Sequence, residues 1–342
     1  MNIEQIQKII TGTYASDEYP VLCDQIASWQ NTQPLKGLTV LDATPVFRNT
    51  MAKYLALIAA GAELVVGISE VMPYDSKIIK ILTQSGIKIV KAESVQTIKI
   101  DFILDCAASF IKWHAELGYV ELTRSGIDSY KAANKAVYLA DSGVIKKIET
   151  SLGTGESFFR AMRQLGYNDF ENKNLVIYGS GKVGRGLEIY AKKYGMNVAI
   201  ISKDEGDYID ANDREKIDET LKSAYAVVTA TGVKGAVEKS CDCEKLINSS
   251  ALLANMGVED EFGESIPNER VLEGKKPLNF ILEEPTHMKY IDATMALHNW
   301  GAIYLKDNPE IKNVVSPDSE TEKKFLNITA SKGLITSEID SI

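Results

Sequence analysis

Asn174-Leu-Val-Ile-Tyr-Gly-Ser-Gly-Lys-Val-Gly-Arg-Gly186 is the stretch whose reading decides the fold. An apolar strand runs over 174 to 180. It leads into Gly179, Ser180, Gly181, Lys182, Val183 and Gly184, which fit G-x-G-x-x-G, and a helix-length segment follows to Tyr194. Each part of the pattern has a physical reason. Gly179 allows the tight strand-to-helix turn, Gly181 lets backbone approach a pyrophosphate, and Gly184 permits close helix–strand packing. The helix N-terminus then offers N–H groups and a positive dipole end to the phosphates. A second apolar run, Asn197 to Ser202, completes a βαβ unit, so this loop is expected to hold a dinucleotide. The tip of that second strand carries Ser202 and Lys203, with Asp204 one position late. A hydroxyl and an ammonium suit the 2′-phosphate of NADP, whereas an inward-turned Asp204 suits the ribose hydroxyls of NAD. The sequence leaves both cofactors open.

The same alternation extends outward in both directions. Apolar runs at 38 to 43, 63 to 69, 87 to 92 and 102 to 107 alternate with helical segments at about 48 to 60 and 76 to 86. Beyond the glycine loop come a charged helix near 212 to 222 and strands at 226 to 231 and 251 to 256, while 153 to 166 reads as a helix before the loop. Strands alternating with helices of this length predict an α/β fold of two doubly wound parallel-sheet domains, one of them a Rossmann dinucleotide-binding domain. The expected boundaries are 1–150 for a substrate-type domain and 151–290 for the Rossmann domain, with 291–342 packing back on the first. The chain length of 342 residues agrees, at roughly 150 residues per domain.

Composition excludes several classes of function. Lys and Arg number 38 against 47 Asp and Glu, a formal net charge of −9, which argues against a nucleic-acid-binding surface. The positive charge that does cluster, Lys182, Arg185 and Lys203, surrounds the expected phosphate site. No apolar stretch is long enough to span a membrane, and the N-terminus does not read as a signal peptide. Four cysteines make no disulfide framework and fit a reduced, cytoplasmic compartment. Cys241-Asp-Cys243 lacks a second ligand pair, so no metal site is expected and the two thiols read as part of a polar turn before a helix.

Several segments together resemble the S-adenosylhomocysteine hydrolase (adenosylhomocysteinase) family, over roughly Pro34 to Leu305. They are Pro34-Leu-Lys-Gly37, Gly61-Ala-Glu63, Ile103-Leu-Asp105, Glu121-Leu-Thr-Arg-Ser-Gly126, Asp141-Ser142 through Gly155-Glu156-Ser157, the glycine loop with its extra Gly186, Thr229-Ala-Thr-Gly232 and Asn255-Met-Gly257. The resemblance implies a bound NAD that oxidises a ribose hydroxyl of a small-molecule substrate, acidifies the neighbouring carbon for elimination and addition, and is restored within the cycle. It also implies a homo-oligomer, a dimer or tetramer. Thr231, Gly232, Asn255 and Asn299 fall where the family contacts its cofactor, and His287 where it has a histidine in a loop that closes on the substrate. A gapless register sets Ile145 against the family's catalytic lysine; a one-residue insertion at Gly143 sets Lys146 there and keeps Asp141-Ser142 matched.

Departures from the family pattern are concentrated at its acid–base positions. Pro45, Cys106, Leu122, Ala140, Glu149, Thr150, Thr154 and Val258 stand where the family has a histidine, an aspartate, a glutamate, an asparagine, an aspartate, an asparagine, a cysteine and a histidine. Asp105, Lys146, Glu149 and His287 remain as candidate catalytic residues, Lys146 and Glu149 sharing a helix face at i, i+3 spacing. His298 reads as structural, and His114, beside Trp113, as a surface or helix residue. The expected activity is oxidation of a hydroxyl on a small, nucleoside-like substrate with little adenosylhomocysteinase activity. Two alternatives stay open: a catalytically silent NAD(P)-binding sensor, and a net NAD(P)-dependent oxidoreductase.

Overall fold

Alternate residues of each apolar run face opposite ways, and the buried set shows both faces of each sheet covered. The computed structural model describes residues 2–132 and 134–342. In chain order its strands are β1 (Thr39–Asp42), β2 (Glu63–Ile68), β3 (Lys88–Lys91), β4 (Phe102–Asp105), β5 (Gly118–Glu121), β6 (Val137–Leu139), β7 (Asn174–Tyr178), β8 (Asn197–Ser202), β9 (Ile209–Asp210), β10 (Ala226–Thr229), β11 (Leu252–Asn255) and β12 (Val314–Val315). Contacts divide the chain into two units. Unit 1 is Met1–Lys146 with His287–Asp340, and unit 2 is Lys147–Thr286 with Ser341–Ile342.

Unit 1 is built on a parallel sheet in the order β12-β6-β5-β4-β1-β2-β3. Val40, Phe102, Leu104, Val120 and Tyr138 point to one face, where they pack with the helices Thr50–Ala59 and Met288–Asp307. Leu41, Ile103, Tyr119 and Val137 point to the other, against Phe110, Trp113 and Tyr130. This is the two-sided burial that parallel strands require. The helix Met288–Asp307 is buried nearly all round. Asp292 on it accepts the backbone N–H groups of Val21 and Leu22, both at 2.9 Å, at the start of the helix Pro20–Thr32. Gln25 returns a bond to the Ala296 carbonyl at 2.7 Å.

Unit 2 carries a parallel sheet in the order β11-β10-β7-β8-β9. Its order reverses between β7 and β10, and unit 1 reverses likewise between β1 and β4. Such switch points are where open α/β sheets take ligands, beyond the carboxyl ends of the strands. The α/β class expected from the sequence therefore holds, with two doubly wound parallel sheets. The differences are local. β5, β6 and β12 are three to four residues or fewer and carried no separate signal. The strand expected to reach residue 107 stops at Asp105, because Ala107 and Ala108 both take left-handed backbone (φ +55° and +53°). The helix Thr154–Gln164 is preceded by a π-helical stretch, Ile148–Gly153, which carries Glu149. No helix among the described residues is long and apolar enough to cross a membrane.

Candidate functional site

In unit 2 the turn after β7 is set by Gly179, at φ +104°, where an added Cβ would lie 2.5 Å from the Ala230 carbonyl oxygen. Only glycine fits that conformation and that approach. Downstream, Gly155 and Gly186 meet backbone to backbone, which lets the helices Thr154–Gln164 and Lys182–Lys193 pack closely behind the loop. Lys182, Val183 and Gly184 form the first turn of the second of these helices, and first-turn N–H groups have no acceptor within a helix. In front lies a cavity of about 430 Å³ at the switch point, lined among others by Gly179, Ser180, Gly181, Ser202, Lys203 and Thr231. An added Cβ on Gly181 would meet nothing within 4 Å, so the loop's centre is open to a ligand.

The rim of this cavity is cross-linked by hydroxyls and one carboxylate. Ser180 and Ser202 hydroxyls lie 2.7 Å apart, the Asp204 N–H donates to Ser202 Oγ at 3.1 Å, and the Asp204 carboxylate accepts the Ser180 hydroxyl. The Asp204 carboxylate thus turns onto the glycine loop, and both it and Lys203 are solvent-exposed at the mouth.

Two asparagines expected near the cofactor are buried and hydrogen-bonded within their own units. Asn255 is buried and its hydrogen-bonding capacity is used internally. Its Oδ1 accepts Thr229 Oγ1 and the Gly257 N–H, and its Nδ2 donates to the Glu259 and Lys275 carbonyls. An amide offers two donors and one two-fold acceptor, so none is left for a ligand. Asn299 lies inside unit 1 with no exposed surface, donating to the Lys53 carbonyl at 3.2 Å and to Gln25 at 3.4 Å.

The four candidate catalytic residues are distributed over both units. Lys146 is buried at the end of unit 1's first stretch, and Glu149 is half-buried in the π-helical stretch of unit 2. His287, half-buried, opens unit 1's return as the residue before the helix Met288–Asp307. Asp105 is fully buried at the end of β4. It accepts the Cys106 N–H (2.8 Å), Ser109 hydroxyl (2.6 Å), Phe110 N–H (2.9 Å) and Tyr130 hydroxyl (2.5 Å). Burial raises its pKa while these donors pull it back. Its bonds make it the anchor of the loop after β4. No group of three or more His, Cys, Asp or Glu among the described residues could hold a metal ion.

No protein-family model matches the chain. Curated relatives do. An adenosylhomocysteinase of Thermoplasma acidophilum is 24% identical over 305 residues, covering 78% of this chain and 73% of its own. An adenosylhomocysteinase of Pyrococcus abyssi is 22% identical over 347 residues, covering 85% and 82%. Over most of its length the chain is thus similar to curated adenosylhomocysteinases, at 22–24% identity. An S-inosyl-L-homocysteine hydrolase of Methanosarcina mazei is also similar, 25% identical with 71% and 67% covered. Among solved structures, a dipicolinate synthase component from Bacillus halodurans superposes with a TM-score of 0.47 at 12% identity, covering 77% of this chain and 96% of its own.

Two buried glutamates shape the loops at the carboxyl ends of the sheets, and sequence reasoning missed one of them entirely. Glu261 accepts the Thr231 N–H and hydroxyl, both at 2.7 Å, and the Gly232 N–H at 2.8 Å. Thr231 and Gly232 are therefore held at the cavity by a carboxylate thirty residues on, and their N–H groups are taken. In unit 1, Glu121 does the same for the N–H groups of Ala107 (2.9 Å) and Ala108 (3.0 Å), the two left-handed residues. Burial raises its pKa, and neighbouring Asp105 adds to that. Glu261→Ala is expected to cost about 3 kcal/mol of stability, since it strands two backbone donors and a hydroxyl; urea unfolding of the variant measures it, and an unchanged midpoint would remove Glu261 from this role.

Unit 1's switch point holds a further buried polar group. Asp42, at the end of β1, is ion-paired with Lys53 and accepts the Thr44 hydroxyl at 2.5 Å. His298 Nε2 lies 2.9 Å from the Val120 carbonyl oxygen. A carbonyl only accepts, so Nε2 carries the proton. Burial, then the Lys53 and Lys146 charges, hold the ring's pKa well below the usual histidine range. His298 is thus neutral and structural.

Proposed function

We propose that the chain binds NAD in the unit 2 cavity and uses it to oxidise a hydroxyl of a small, nucleoside-like substrate, with little adenosylhomocysteinase activity. The observation that carries the choice of cofactor is the Asp204 carboxylate, fixed on Ser180 of the glycine loop. A carboxylate there accepts ribose hydroxyls and repels a 2′-phosphate. The cavity fits the group: it is open at Gly181, a wall residue that caps the first turn of the helix Lys182–Lys193. In this reading that turn holds the pyrophosphate, and Ser202 and Asp204 hold the ribose. The bound nicotinamide supplies a two-electron acceptor. Lys146, Glu149 and His287 are the residues assigned to take and return the substrate's protons, since Asp105 is committed to its loop.

The expected test is a titration of purified protein with NAD and NADP. NAD should bind at least tenfold more tightly, and the reverse order would sink the cofactor choice. Asp204→Ala should weaken NAD about tenfold, or ~1.4 kcal/mol, and narrow the gap to NADP. Turnover of S-adenosylhomocysteine at an ordinary enzyme rate would overturn the substrate reading. The silent-sensor alternative draws support from the saturation of Asp105 and Glu121 by internal bonds; it predicts NAD binding with no reduction of the bound cofactor by any nucleoside.

A further inference from the structure

Cys241 belongs to unit 2's apolar core and Cys243 packs against it, but the proposed chemistry uses neither thiol. Cys241 follows the short helix Ala236–Ser240, which walls the dinucleotide cavity through Ala236, Lys239 and Ser240, and Cys243 opens the next helix, Cys243–Ile247. The Cys241 thiol donates to the Val237 carbonyl at 3.4 Å, and the Cys243 thiol to the Glu238 carbonyl at 3.7 Å. Two thiols two residues apart therefore serve two consecutive carbonyls of one helical turn, which brings the sulfurs side by side. At the helix end the Glu238 carbonyl takes the Cys243 thiol, while the Val237 carbonyl takes the Cys241 thiol beside the Cys241 N–H (3.3 Å), with the Ser240 hydroxyl 3.0 Å away. Cys241 is buried and Cys243 half-buried, so one is reachable from solvent and the other stands behind it. Behind the same turn, Ser240 donates to the Tyr178 hydroxyl at 3.3 Å, and both residues line the cavity.

We propose that Cys241 and Cys243 form a reversible disulfide, a redox modification site that removes the thiol bonds to the Val237 and Glu238 carbonyls and loosens the end of the cavity-walling helix. Exchange with a small-molecule disulfide supplies the chemistry. The Cys243 thiolate attacks one sulfur and expels one thiolate. The Cys241 thiolate then attacks Cys243 Sγ in the mixed disulfide and expels the second. The protein loses two hydrogens, and the small disulfide becomes two thiols with the same two electrons. Burial pushes Cys241 up to about 12 and also raises Cys243, so exchange is slow at neutral pH and quickens in alkali. The link to cofactor binding rests on the dinucleotide reading of the cavity; disulfide formation does not.

The test treats the full chain with oxidised glutathione at pH 9. The peptide containing Cys241 and Cys243 should become two hydrogens lighter. Amide exchange across residues 236–240 should quicken at least tenfold, and the NAD dissociation constant should rise about tenfold, all reversed by dithiothreitol. A Cys241→Ser, Cys243→Ser double variant keeps hydroxyl donors at both positions and should respond in none of these ways. Failure of the intraloop disulfide to form, or its formation with unchanged exchange at 236–240, overturns the proposal. If the reduced chain binds no NAD, the function proposed above falls, while the mass and exchange measurements still decide this one.

Discussion

Asp292→Ala is expected to destabilise the chain by about 3 kcal/mol at pH 5, a large share of the ~5–15 kcal/mol typical of a folded domain. Asp292 is 2% exposed, and its two carboxylate oxygens take the N–H groups of Val21 and Leu22. Alanine strands both donors in a dry interior, at ~1–3 kcal/mol each. It also removes the cap that seats the helix Pro20–Thr32 against the helix Met288–Asp307, two elements some 270 residues apart in sequence. The effect depends on pH. Burial pushes Asp292 up to about 7, the two N–H bonds opposing it, against about 3.9 in an unfolded chain. Folding therefore takes up a proton at this residue between those values. The associated stability is fully present below pH ~4 and is lost as the pH rises to ~7. Urea unfolding of parent and variant should thus differ most near pH 4–5 and least above about 7. Equal midpoints at pH 5 would show that Asp292 does not hold the two helices together.

Gly181→Val is expected to lower NAD affinity at least 100-fold, ~2.8 kcal/mol, while leaving the melting temperature nearly unchanged. At φ −66° and ψ −170° the backbone of Gly181 suits any residue, and its Cβ position is empty to 4 Å. The fold has no need of glycine there; a pyrophosphate approaching the helix start does. Gly179→Ala makes the opposite case, because φ +104° and the Ala230 carbonyl 2.5 Å away forbid a side chain whatever binds. That variant should lose stability before it loses anything else. Calorimetry of binding together with thermal melts separates the two. A Gly181→Val protein that binds NAD like the parent would exclude the glycine loop as the phosphate site.

The contrast between these glycines marks how much was legible in the sequence. The loop and its flanking strand and helix were readable because their causes are local: an apolar run, glycines at fixed spacing, then good helix formers. The long buried runs that became β1, β2, β7 and β8 were readable for the same reason. Glu261, Glu121 and Asp292 were not, because each acts on backbone far along the chain, and nothing at their own positions distinguishes a loop anchor from a surface carboxylate. Asn255 shows the converse. Its motif was recognisable, but only the folded chain reveals that Thr229, Gly257, Glu259 and Lys275 consume its hydrogen bonds. Asn299 was assigned from a resemblance that carried no information on which way a helix turns its faces.

The interrupted layout of unit 1 has a consequence for how the chain is made. β12 and the helix Met288–Asp307 complete a unit whose other strands all precede residue 147, whereas nearly all of unit 2 is contiguous, from Lys147 to Thr286. On a ribosome, which releases the chain from its N-terminus, the glycine-loop unit can close while synthesis continues. The N-terminal half must wait, with the apolar face that Met288–Asp307 will cover still exposed and the N–H groups of Val21 and Leu22 still without Asp292. A chain stalled or cleaved near residue 286 would thus combine one finished sheet with one open one, the kind of half-built molecule that chaperones hold and proteases remove.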